Sequence, residues 1–178
     1  MSNHNYHFNR NFYSVLFVVG LATFAFHELA HWLVGSLLGY PMIIKPNHVY
    51  SLTKMLPLHN ALTDAAGPVL TIFQGLVGFY LVKAKGSKLG FSLLYMAFFM
   101  RLLATVVTLF NPNDEARLGT YLGLGQWSLP LFVCLGLLIL TWLASRHLEL
   151  WFRDQLGCYA IASIAVSFVV GIDRFIFN

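Results

Sequence analysis

Five long stretches of the chain are nearly free of charge, and each approaches the length of about 20 mainly apolar residues that a helix needs to cross the hydrocarbon core. They fall at residues 11–38, 61–82, 89–110, 128–145 and 157–174. With 58% apolar and only 10% charged residues, the chain has too little polar surface for a soluble domain of its size. The expected architecture is therefore all-α and integral to the membrane, a bundle of about five transmembrane helices forming one domain over residues 1–178. The first apolar run continues well past the h-region of a signal peptide, so it is expected to stay as an uncleaved first span.

Two connections break the helical pattern. Residues 41–60 hold Pro41, Pro46 and Pro57 among polar residues, which predicts an irregular or re-entrant surface segment between the first and second spans. The third span carries Arg101 in its interior and is interrupted by Asn111, Pro112, Asn113 and Asp114.

The formal charge of +4 does not point to nucleic acid. The basic residues stand singly between apolar runs and form no stripe able to follow a phosphate backbone. Arg10, Lys83, Lys85, Lys88, Arg146 and Arg153 collect on the N-terminal side of a five-span bundle. Lys45, Lys54, Arg117 and Arg174 collect on the other, a bias toward a cytoplasmic N-terminus. Cys134 and Cys158 lie in apolar stretches without metal-ligand spacing and are read as small packing residues.

Inside the first span stands the run Phe26, His27, Glu28, Leu29, Ala30, His31. Histidines four apart on a helix project from one face, one turn from each other, and can grip a single metal ion. Glu28 is then turned off the metal axis but near enough to take a proton from a metal-bound water. The pattern alone is moderately specific, and its location sharpens it. An ionisable side chain near the bilayer centre costs on the order of 2.5–3.5 kcal/mol on insertion scales. The competing reading makes His27 and His31 core histidines bonded to carbonyls or to Glu28.

A catalytic zinc takes three protein ligands and leaves a fourth position open, so a further ligand must come from elsewhere. Asp114 is the choice, because the helix loses a hydrogen bond at Pro112 and the chain can unwind there. Glu115, Asp64, His59 and His48 remain alternatives on the same side of the membrane. A different role is also open, in which Asn113 or Asp114 caps a following helix. Arg101 is expected to pair with Asp64, Asp114 or Glu28, or else to stabilise an oxyanion. Thr105 and Thr108 share its helix face, and Gln74, Gly75 and Gly78 offer the second span a surface for close helix approach.

The sequence resembles the site-2 protease family of intramembrane zinc metalloproteases at three places: residues 26–31, Ala66-Gly67-Pro68, and Asn111-Pro112-Asn113-Asp114. The first is similar to that family's zinc helix. The second resembles its Ala-Gly-Pro signature, where close helix contact is expected. The third is similar in kind to the segment bearing its aspartate ligand. Two positions depart from the pattern, with Thr71 where the family commonly has Asn, and Asn113-Asp114-Glu115 in place of Leu-Asp-Gly. The resemblance implies a minimal member without a PDZ module. In it His27, His31 and Asp114 hold Zn2+, Glu28 activates water, and the substrate is a transmembrane protein or peptide cut within or near the bilayer.

The family's zinc helix usually enters from outside, opposite to the charge bias. A multi-pass protein of a bacterial cytoplasmic membrane, in contact with lipid, is the expected setting. A di-iron hydroxylase would need more histidine pairs than His48, His59 and His147 supply. A non-catalytic zinc-binding or client-binding membrane protein of the same fold would carry the same residues.

Overall fold

In the computed structural model, which describes residues 10–176, six helices and one small hairpin follow each other in the order α1 (Arg10–Leu37), β1 (Met42–Lys45), β2 (His48–Ser51), α2 (Pro57–Lys85), α3 (Lys88–Val107), α4 (Asp114–Tyr121), α5 (Ser128–His147) and α6 (Phe152–Ile176). The outer ends of the expected 1–178 domain lie outside the described residues. Five of the helices, all but α4, are long and apolar enough to cross a membrane, and the chain is a multi-pass, all-α membrane protein. Helices satisfy every backbone polar group within the segment, which is what hydrocarbon demands.

The spans match the expected stretches except at their ends, where α6 begins five residues early at Phe152 and two other differences have a local cause. Helix α2 begins at Pro57, four residues earlier than the sequence suggests. Proline is well suited to the first helical turn, where its missing N–H would have no partner anyway. The third span stops at Val107, and Pro112 marks the end of a helix instead of a kink within one. The segment from 41 to 60 is irregular only in part, at residues 52–56, before α2 starts at Pro57. Its first half is an antiparallel hairpin with Ile43 opposite Tyr50 and Lys45 opposite His48. Pro46 supplies the fixed φ that a two-residue turn accepts at its first central position.

Helix α3 is the axis of the bundle, packed against α1, α2, α5 and α6. From Gly90 to Arg101 every residue except Leu93 is buried. The apolar core gathers around it at the N-terminal end of α1, with Leu16, Val82, Phe91, Leu94, Met96 and Cys158 among its fully enclosed side chains. Both cysteines are free and buried, in keeping with a packing role. Gln74 donates to Thr23 Oγ1 (3.0 Å) and to the Leu93 carbonyl (2.9 Å), so it ties α1, α2 and α3 together as well as lying on a contact face.

The α2–α3 contact depends on glycine. A Cβ added at Gly78 would lie 2.6 Å from the Gly90 carbonyl oxygen and 2.7 Å from the Leu94 nitrogen, both of them backbone atoms that cannot step aside. Overpacking of this kind costs about 1–3 kcal/mol, more than the ~1 kcal/mol that alanine gains over glycine in a helix. Gly78→Ala should therefore lower the unfolding midpoint in detergent, and an unchanged or raised midpoint would refute this account of the contact.

Candidate metal centre

The polar residues of the bundle concentrate toward the hairpin end, opposite the apolar core. Counting about 1.5 Å per residue, His27 lies about 5 Å past the midpoint of α1. His27, Glu28 and His31 are 4%, 7% and 6% exposed.

The helix places His27 and His31 on one face, their rings edge to face with centroids 4.7 Å apart. Their Nε2 atoms stand 3.1 Å from each other. Asp114 Oδ2 completes a triangle, at 3.2 Å from His27 Nε2 and 3.4 Å from His31 Nε2. Ligands about 2.0–2.2 Å from a tetrahedral zinc stand about 3.3–3.6 Å apart, so the triangle is close to the size that such an ion requires.

The opposite ring nitrogens fix the tautomers. Thr71 Oγ1 donates to the Gly67 carbonyl (3.0 Å) and so accepts from His27 Nδ1 (3.0 Å). His31 Nδ1 faces the Thr63 carbonyl at 2.6 Å, which can only accept. Both Nδ1 atoms therefore carry the proton, and in neutral imidazoles both Nε2 atoms present lone pairs toward each other and toward a carboxylate. Three such donors repel one another unless a metal cation, or a proton on one Nε2, lies among them. The donor set fits a metal ion, and a ring N–H held by an outer acceptor is the usual arrangement of metal-binding histidines.

Gly67 is where α2 makes room for this pair. A Cβ there would run into His31 Nε2 and His27 Cε1, and would lie 2.7 Å from His27 Nδ1. The close contact expected at Ala66-Gly67-Pro68 is thus made against the imidazoles themselves.

Next to the triangle, capping and approach to the histidines are divided between neighbours. Asn113 caps α4 through its side-chain oxygen, which accepts from the Ala116 N–H at 2.8 Å. Asp114 is thereby left free of the cap, and its carboxylate turns to the histidines.

The other candidates for the third position have different partners. Asp64 accepts from Arg117 Nε and Nη2. His59, on the first turn of α2, meets the Tyr40 hydroxyl at 3.0 Å. His48 Nδ1 lies 3.2 Å from Asp173 Oδ2. Arg101 reaches one of its expected partners, Asp114, at 4.0 Å, but its close partner is Glu115 at 2.8 Å, which was not expected, and no ion pair joins it to Asp64 or Glu28. Thr105 and Thr108 bond backbone carbonyls instead of extending a polar stripe from the guanidinium. At Arg117, burial favours the neutral form, but the bonds and charges of Asp64 and Asp114 outweigh it and raise its pKa above the ordinary value.

A cavity of about 720 Å³ joins these groups, lined by His27, Glu28, His31, Asp114 and Arg101 and by all four residues of β2. Glu28 makes no hydrogen bond or ion pair with the described residues, so its carboxylate faces the cavity uncommitted. Sequence reasoning passed over Thr71 as a simple departure and Arg117 as a surface charge. The signal for Thr71 was its spacing of four from Gly67, which puts both on one helix face.

If His27 is a metal ligand and Thr71 holds it as described, Thr71→Val should bind added Zn2+ about 10–100-fold more weakly, the usual effect of removing an outer hydrogen-bond partner, while Thr71→Ser should not. Equal zinc affinity in the valine and serine proteins, measured by competition with a chromophoric chelator, would count against that role. No protein-family model matches the chain, nor does any curated protein or solved structure.

Proposed function

We propose that the chain is an intramembrane zinc metalloprotease, similar to the site-2 proteases, that hydrolyses peptide bonds of membrane-embedded substrates. The observation that carries this reading is the triangle of His27 Nε2, His31 Nε2 and Asp114 Oδ2, with the uncommitted Glu28 on the same cavity. Two imidazoles and one carboxylate in a tetrahedral triangle are a donor set that suits zinc. When bound there, zinc would supply Lewis acidity, lowering the pKa of a water and polarising a peptide carbonyl.

Glu28 does the proton work. It accepts a proton from the attacking water as the new C–O bond forms, and delivers it to the amine as the C–N bond breaks. Glu28 lines the cavity beside the two imidazoles, where a water admitted to the site comes within its reach.

A transmembrane helix shields its own peptide bonds, so a substrate must unwind before it is cut. Strand β2 pairs with β1 on one side only, and His48, Val49, Tyr50 and Ser51 all border the cavity. An extended stretch of substrate can add to that edge by backbone hydrogen bonding.

The test is Glu28→Gln in protein reconstituted with a fluorogenic transmembrane peptide. It should keep its zinc and lose cleavage by about 10²–10⁴-fold, the usual size of a general acid–base contribution. Cleavage at the wild-type rate would falsify the mechanism. Wild-type protein that binds zinc and cuts no membrane peptide would instead be a binding protein of the same fold.

A further inference from the structure

Arg117 stands at the junction of α2 and α4 and touches both Asp64 and Asp114. Its Nη2 lies 2.7 Å from Asp64 Oδ1 and 2.7 Å from Asp114 Oδ1, so the two protons of one nitrogen serve two carboxylates. The rest of the guanidinium is held as firmly. Nε lies 3.1 Å from both oxygens of Asp64, and Nη1 donates to the Pro112 carbonyl at 3.0 Å. Asp64 in turn accepts from Asn60 Nδ2 at 3.0 Å. A continuous chain of bonds thus runs from Asn60 and Asp64 on the long helix α2, through Arg117, to Asp114 on the eight-residue helix α4.

The two oxygens of Asp114 are separated by this chain. Oδ2 faces His27 and His31, and Oδ1 is taken by Arg117. A carboxylate with a free second oxygen can swing to bind an ion through both, which raises the coordination number and suits ions that prefer five or six ligands. We propose that Arg117, anchored by Asp64, is a positioning residue that limits Asp114 to one coordinating oxygen and so keeps the centre four-coordinate and selective for zinc. This rests on reading His27, His31 and Asp114 as a metal centre.

The planar fork is essential to the arrangement, since a lysine ammonium cannot reproduce the paired bonds to Asp64 while reaching Asp114. The charge of Arg117 alone works in the opposite direction. It draws electron density from Asp114 and weakens it as a ligand, so a purely electrostatic role predicts tighter binding when the arginine is removed. Positioning predicts weaker binding and a change in coordination.

The test uses the full chain in detergent micelles, titrated with Co2+ and with Zn2+, in the wild type and in Arg117→Gln, Arg117→Lys and Asp64→Asn. The wild type should show the intense visible absorption of four-coordinate cobalt. All three variants should show the weak absorption of five- or six-coordinate cobalt, with zinc affinity lower by about 10–100-fold and a narrower preference for zinc over manganese. Asp64→Asn keeps Arg117 and its bond to Asp114, so it reads the anchor even if loss of the arginine prevents folding. Variants with the wild-type cobalt spectrum and zinc affinity would overturn the positioning role and leave the centre standing. A wild-type protein that binds neither metal would remove the centre, and this inference with it.

Discussion

Two imidazole lone pairs and a carboxylate oxygen within 3.4 Å of one another repel unless a metal ion or a proton lies between them, and the two imidazoles are almost wholly buried. The arrangement persists because each group is tied from behind. Thr71 and the Thr63 carbonyl take the two Nδ1 protons, and Arg117 takes the outer oxygen of Asp114. What remains is a set of three electron-pair donors aimed at one point, preorganised for a cation. Much of the rest of the hairpin end follows from the need to hold that set in place.

Helix α2 carries most of that task on a single stripe. Asn60, Asp64, Gly67, Thr71 and Gln74 recur at helical spacing and face α1 or α4. Each member differs in chemistry. Asp64 anchors the arginine, Gly67 lets the imidazoles in, Thr71 orients one of them, and Gln74 ties α1 to α3. Pro68 belongs to the same region and lacks the N–H that would otherwise bond the Asp64 carbonyl one turn back. The residue that is absent from the stripe, a side chain at Gly67, matters as much as those present.

The spans were legible because hydrophobic length is a property of the chain itself, and so was the histidine pair, because spacing of four on a helix decides which side chains meet. Asp114 was legible for a further reason, since Pro112 marks where the third span ends and a side chain can turn inward. The hairpin was hidden by its prolines. Pro46 and Pro57 read as obstacles to regular structure, yet one sits in a turn and the other at the first position of a helix. Partners were the least legible. Arg101 could meet any of several carboxylates until the packing of α4 brought Glu115 to it and left Asp64 for Arg117. Periodicity orders neighbours along one helix but not across two.

The charges around the centre make their own argument about what belongs there. Glu28, Asp64, Asp114, Glu115 and Asp173 bring five carboxylates to this part of the bundle, where Arg101 and Arg117 are the arginines that pair with them. Unbalanced charge in low dielectric is costly, and a group so placed either finds a counter-ion or takes up a proton. Asp173 faces His48, and the two acids left are Asp114, which shares Arg117 with Asp64, and Glu28, which has no ion-pair partner among the described residues. Both border the same cavity as the two imidazoles. A divalent ion at the triangle would offset the negative charge of Asp114 and Glu28, where it is least answered. A proton on one Nε2 would bridge that ring to a neighbouring donor, whereas a divalent ion would meet all three donors at once.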